Sequence, residues 1–340
     1  MNTNRSRVES RESRAKSPRP SSLVPRLSTA SGFSLVEVLV VITLLSLIVL
    51  ALMAVFNSTQ TAFRSSVTQT DVLEGGRAAV DMMTADLRQM APSFASSNGI
   101  VIPSPQAASP AGYTTNAVNF YAGTNLYYST QPLSQSLAGS AQRRTNVLDN
   151  FFILSRGNLN GQPMWFGTGY AVNPAATNDL YPLYRFYLAT NVAAAPNPAV
   201  LFNTFMSSLV TAGYTNANWS HLLDGVVVLT VRAYDPNGMW ITNGYTFGYT
   251  NIAKNVVFLP PVLGGGFCMF SNTLPAAVEV ELGVLEDRTL QRAESLAIAG
   301  QPPSPTLAPI QWQYLQNQAG KVHLFRQRVT IRDVDPSAYQ

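Results

Sequence analysis

The stretch Phe33–Phe56, FSLVEVLVVITLLSLIVLALMAVF, decides how the rest of the chain is read. Of its 24 residues only Ser34, Glu37, Thr43 and Ser46 are polar, and from Val38 onward there is no charge. About 20 apolar residues at 1.5 Å each cross a hydrocarbon core, so the stretch predicts a transmembrane helix over residues 33–56. A cleaved secretory signal has an apolar region of only about 7–15 residues, with a small-residue site after it. The nearest imitation of such a site, Ala51-Leu52-Met53-Ala54, lies inside the apolar run. Length favours a span.

Toward the N-terminus, residues 1–32 are rich in Ser, Arg and Pro and show no apolar period, the composition of an unstructured leader. They carry seven basic side chains (Arg5, Arg7, Arg11, Arg14, Lys16, Arg19, Arg26) against Glu9 and Glu12, a net +5. The other 308 residues hold 15 basic and 16 acidic groups, a net −1. The pI of about 9.2 therefore belongs to the leader, and no direct nucleic-acid partner is expected. Arg64 is the only basic residue in the twenty after the span. The positive-inside rule places residues 1–32 in the cytoplasm and everything after Phe56 across the membrane.

Toward the C-terminus, no proline interrupts residues 57–91, and Leu73, Gly76, Val80, Met83, Leu87 and Met90 recur at 3–4 spacing. Arg77, Asp81, Asp86 and Arg88 fall off that stripe, which predicts an amphipathic extension of the same helix. Gly75-Gly76 is its weak point, since each glycine costs up to about 1 kcal/mol against alanine. Pro92 and Ser93 end the pattern. A helix from Phe33 to Met90 would run about 87 Å at 1.5 Å per residue. Its upper half needs a surface to lie on.

Residues 92–340 supply one. Val118–Ala122, Val147–Leu154, Leu183–Ala189, Val226–Tyr234, Ala277–Leu285 and Val322–Val334 are rich in Val, Phe, Tyr and Leu, with Gly, Pro or Asn between them. Val278, Val280, Leu282 and Val284 alternate with Glu279 and Glu281, and Arg326, Arg328, Thr330 and Arg332 oppose Phe325, Val329 and Ile331. One apolar and one polar face predict an antiparallel sheet packed on one side, with the long helix as cover. Asp287–Ile298 reads as a helix, Gln301–Pro309 as a proline-rich connection, and Ser134–Arg144 as a loop. The expected fold is α+β: a long N-terminal helix packed on a β-rich globular head.

The junction Ser31-Gly32-Phe33-Ser34-Leu35-Val36-Glu37 resembles the class III signal of type IV prepilins and type II secretion pseudopilins. In that family a basic leader ends in Gly, the mature chain begins with Phe, its fifth residue is Glu, and an apolar run follows. The resemblance implies a pilin-like fold and three roles. Gly32–Phe33 would be the bond cut by a prepilin peptidase, Phe33 the N-methylated new terminus, and Glu37 the group that pairs with a neighbouring subunit's terminal amine during assembly. An ionisable side chain at the edge of a span is a functional site by default, which agrees with the last role. The segment Gly76–Met90, GRAAVDMMTADLRQM, is similar to the helix of minor pseudopilins of the J type and minor pilins of the W type, and Leu274–Leu282 to their Leu-Pro-strand element.

The implied protein is a minor pilin or pseudopilin, a structural subunit and not an enzyme. It would sit in the inner membrane in a single pass with its head periplasmic, and in a filament after assembly. Its partners would be the peptidase, other pilin subunits through the helix, the inner-membrane assembly platform and lipid. This leader is longer than the family's usual one, unless translation starts at Val24 in place of Met1, and the head is larger. Pilus, secretion and DNA-uptake systems share this logic. The alternative is a signal-anchored membrane protein with an extracytoplasmic binding or hydrolytic domain.

No cofactor or metal is expected. One cysteine, Cys268, excludes an internal disulfide framework, and two histidines, His221 and His323, leave little for a metal cage. Cys268 reads as a small buried hydrophobe. Asp333, Asp335, Glu286 and Asp287 carry oxygens suited to Ca²⁺ but lack loop spacing for it and read as solvated turns. Ser13-Arg14-Ala15-Lys16 matches Ser-x-x-Lys only inside the leader, and Gly264-Gly265-Gly266 lacks a strand–helix context for phosphate. Tyr127-Tyr128, Tyr181, Tyr184 and Tyr187 suit half-buried strand faces.

Overall fold

A computed structural model of the chain describes residues 34–95, 114–125, 133–137, 139, 141–173, 179–210, 214–242, 255–259, 266–296 and 309–339. The leader 1–32, Phe33, Tyr127-Tyr128, Gly264-Gly265 and residues 301–308 lie outside these. Two compact units separate, Met1–Gln60 and Thr61–Gln340, and one helix, α1 (Leu35–Leu87), contributes to both.

In the first unit every described side chain is exposed. Leu35–Phe63 is long and apolar enough to cross a membrane. Its hydroxyls are turned back on the helix: Thr43 donates to the Val40 carbonyl at 2.8 Å, Ser46 to Ile42 at 2.8 Å and Thr59 to Val55 at 2.9 Å. Such back-bonding removes donors that hydrocarbon could not satisfy.

The second unit builds two antiparallel sheets on the rest of α1. The larger has seven strands: β1 (Val118–Thr124), β4 (Asp149–Leu159), β5 (Gln162–Val172), β6 (Leu183–Asn191), β7 (Trp219–Leu223), β9 (Val256–Phe258) and β10 (Phe267–Phe270), in the order β7-β6-β5-β4-β1-β10-β9. The smaller has three, in the order β12-β11-β8: β8 (Val226–Tyr234), β11 (Ala277–Leu285) and β12 (Val322–Thr330). Phe120, Phe151, Ile153, Tyr170 and Met269 share one core with the buried stripe of α1 and with Val280, Leu282 and Val329 of the smaller sheet. The alternate residues Tyr121, Phe152, Leu154 and Phe186 form a second core beneath α2 (Ala199–Val210), against Leu201, Phe202 and Phe205.

Several expectations change here. The polar outer face holds for the smaller sheet, where Arg326, Arg328 and Thr330 are exposed beside one apolar side chain, Leu324. The larger sheet is apolar on both faces because α2 covers the second one, and alternation requires water on one side. The loop expected at Ser134–Arg144 contains the strands of a hairpin, β2 (Ser134–Ser136) and β3 (Arg143–Thr145). Beyond the helix foreseen from Asp287, which forms α3 (Asp287–Ser295), a further one, α4 (Pro309–Gln316), precedes β12. The stripe of α1 is also corrected at its start. Leu73 is 39% exposed, whereas Val72 is 8% exposed and joins Gly76, Ala79, Val80, Met83 and Leu87 inside. Gly76 is the reason that the helix can approach: a Cβ there would overlap the Phe325 ring of β12.

Candidate functional site

Helix α1 begins where a cap is available. Ser34 Oγ accepts the Glu37 amide at 3.2 Å, and the Ser34 carbonyl accepts the Glu37 and Val38 amides at 3.0 and 3.2 Å. Ser34-Leu35-Val36-Glu37 has the spacing of a capping box, a signal that the reading by hydropathy passes over. The cap sets Glu37 in the first turn, where the helix dipole favours an anion. Its side chain is exposed, and among the described residues its carboxylate has no hydrogen-bond or ion-pair partner. Gly32 and Phe33, the expected cleavage and methylation positions, lie outside the described residues.

The other end of α1 carries the Asp-Leu-Arg element at Asp86-Leu87-Arg88. Leu87 enters the core, while Asp86 reaches the larger sheet. Arg185 of β6 grips it with two bonds, Nε to Oδ2 at 2.9 Å and Nη2 to Oδ1 at 3.0 Å. The Tyr170 hydroxyl donates to the same Oδ2. Burial first, and then the Asp86 charge, pushes the Tyr170 hydroxyl above its ordinary pKa. Burial works against the Arg185 charge, but the bonds to Asp86 prevail and hold its pKa up. Next to this clamp, Ala91 donates to the Leu154 carbonyl at 3.0 Å, so the chain leaving α1 is sewn to β4.

On the outer face of the smaller sheet, Glu279 is 6% exposed and lies between Arg232 at 2.9 Å and Arg326 at 2.7 Å. Burial opposes its ionisation, yet the two guanidinium bonds outweigh burial and lower its pKa. Arg328 stacks over Tyr234, 4.0 Å from the ring centre. At the seam of the two sheets, Asp149 Oδ2 accepts the Val231 amide at 2.9 Å and Oδ1 accepts the Thr124 hydroxyl at 3.1 Å. Burial pushes the Asp149 carboxyl up to about 6, against those two bonds and the pull of Arg232.

The remaining singled-out residues do not converge. Cys268 is buried, and burial pushes its thiol up. Asp335 bonds Ser337 and Asn272, Glu286 lies 3.2 Å from Lys321, and Asp287 bonds Gln291. His221 pairs with Asp224 at 2.8 Å, and His323 Nε2 is 3.7 Å from Glu286. Among the described residues no group of three or more His, Cys, Asp or Glu is placed to hold a metal ion.

No protein-family model matches the chain, and no curated protein and no solved structure matches it. Its reading rests on its own residues.

Proposed function

We propose that the chain is a minor pilin or pseudopilin, a structural subunit that enters a filament through α1 after a prepilin peptidase cuts Gly32–Phe33. The observation that carries the reading is the start of α1. A capped apolar helix, exposed along its whole span, presents one carboxylate, Glu37, without a partner of its own. An ionised group at the edge of a span costs a few kcal/mol unless it is paired. The free amine at Phe33 that cleavage creates on a neighbouring subunit would supply the pair. In this reading residues 1–32 stay in the cytoplasm, the second unit lies in the periplasm, and α1 contacts lipid before assembly and sister helices after it. The Asp86 clamp would hold the apolar stripe of α1 to its sheets while the span is drawn into the filament.

N-terminal mass spectrometry of the protein from its native membrane tests this directly. The expected terminus is N-methyl-phenylalanine at Phe33. A chain that retains the leader in the filament fraction would remove the proposal in favour of a signal-anchored ectodomain.

A further inference from the structure

The seam between the two sheets leaves a cleft of about 160 Å³ that the filament reading does not use. Its walls are the end of β1 (Ala122 to Thr124), the start of β4 at Asp149, Val231 of β8, the segment Trp240 to Thr242 that follows β8, and Phe258 and Phe267 at the ends of β9 and β10. Gly266 shapes one wall. Its φ is +111°, and a Cβ there would strike the Ala122 carbonyl, so glycine is what allows β10 to start this close to β1.

Two features give the cleft a chemical preference. Asp149 is the only ionisable side chain among these lining residues, and it is 9% exposed. Its two bonds come from neutral donors, and among the described residues no cation lies within ion-pair distance of it. The nearest basic neighbour along β8, Arg232, is held by Glu279 at 2.9 Å and stands over one face of the Trp240 ring, 5.9 Å from its centre, so it favours the Asp149 charge without pairing with it. Buried carboxylates are ordinarily paired, because the uncompensated charge costs several kcal/mol. The second feature is aromatic: Trp240, Phe258 and Phe267 line the same space, and Trp240 is 54% exposed at its mouth. Ring faces attract cations, most strongly when water is excluded. An anion set among rings selects an organic cation over a metal ion, which would require several oxygens.

We propose that this cleft binds a small alkylammonium group, with Asp149 as the counter-ion and the Trp240, Phe258 and Phe267 rings as its apolar surroundings. The group could be a free amine or the end of a lysine side chain from a partner protein, since both present the same chemistry. Burial pushes the Asp149 carboxyl up to about 6, still below pH 8, so at that pH the site carries its charge.

The test uses the full chain in uncharged detergent, with 5-fluorotryptophan incorporated and the Trp240 signal assigned by Trp240→Phe. Butylammonium chloride is titrated at pH 8 against 1-butanol, its uncharged analogue. A saturable shift of the Trp240 fluorine signal is expected with butylammonium only, in about the millimolar range for so small a ligand. Asp149→Asn keeps an acceptor for the Val231 amide and should weaken binding at least tenfold, with the Trp165, Trp219 and Trp312 signals unmoved as the fold control. Tighter binding of Nα-acetyl-lysine amide than of butylammonium would assign the group to a partner's lysine, and the reverse order to a free amine. No saturable shift, or equal affinity in Asp149→Asn, would overturn the proposal. If Asp149→Asn does not fold, the wild-type comparison decides alone: an equal response to butylammonium and butanol overturns it.

Discussion

Replacing Gly76 by alanine sets helix propensity against packing, and the two predict opposite signs. In a helix interior alanine is more favourable than glycine by about 1 kcal/mol. On that basis Gly76→Ala should stabilise α1. In the folded unit, however, the added Cβ would overlap the edge of the Phe325 ring, whose Cδ2 lies 2.9 Å from the ideal Cβ position. Phe325 is half-buried on β12, an edge strand paired only with β11, so the ring can be displaced, but only by leaving the core formed with Val80 and Met83. Forcing a methyl group into packed surroundings costs about 1–3 kcal/mol. Packing wins, and the expected net loss is about 1 kcal/mol. For a unit of this size that lowers the Tm by about 2–4 °C. The assay is thermal and urea unfolding of the full chain in detergent, followed by tryptophan fluorescence. The same substitution made in a Phe325→Ala background should reverse sign and gain about 1 kcal/mol, because the obstacle is gone and only propensity remains. A higher Tm for Gly76→Ala in the wild-type background would refute the argument. Gly75 supplies the contrast: its Cβ would meet only the flexible end of Leu223, Cδ1 at 3.3 Å, so Gly75→Ala should stabilise, by up to about 1 kcal/mol.

Glu37→Ala should leave the processed protein in the membrane, since the span becomes no less apolar, while crosslinking to adjacent subunits in the filament falls. That outcome is expected only under the pairing role proposed for Glu37, and incorporation equal to wild type would reduce Glu37 to an interfacial residue. Asp86→Ala strands the Arg185 guanidinium and the Tyr170 hydroxyl together. Because Arg185 is a quarter exposed, solvent screening brings the cost below that of a fully buried pair, to about 2–3 kcal/mol in urea unfolding. An unchanged midpoint would show that the clamp is ornamental. The raised carboxyl of Asp149 gives a pH signature of defined sign. The folded state holds this proton more tightly than the unfolded chain, so its contribution is favourable at low pH and is lost as pH rises from about 4 to about 6. From pH 4 to pH 6 wild type should lose about 2 kcal/mol relative to Asp149→Asn, and a stability difference that does not vary with pH would contradict the burial of this charge.

The termini of the elements show where reading the chain succeeds and where it stops. Strands β8 and β11 were legible to the residue because Val and Leu alternate with Glu, Thr and Arg between clear turn residues. Strand β5 was not. Its glycines, Gly167 and Gly169, look like interruptions, but a Cβ at either would collide with Phe152, Leu201 or Phe205, so they are the sites where α2 settles on the sheet. Helix α2 was hidden for a related reason. With both its faces and its neighbourhood poor in charge, AVLFNTFMSSLV shows little polar contrast to mark a helical period.

Local sequence by itself determined α1: an apolar run long enough to cross a membrane, a Ser-x-x-Glu start and no proline from Phe33 to Ala91 are properties that neighbouring residues impose on one another. It also singled out Glu37, because a lone carboxylate in such a run is conspicuous without any structure. The buried side of α1 was legible from Gly76 to Met90; tertiary structure decided only its start, where Val72 is inside and Leu73 outside, and the close approach of Phe325 to Gly76. It alone brought Asp86 to Arg185, 99 residues away, and Asp149 to Val231, 82 residues away, across elements whose pairing no local pattern encodes. A charged residue in a strand or helix reads from the sequence as solvated. Whether it becomes a clamp or a buried anion depends on what distant segment closes over it.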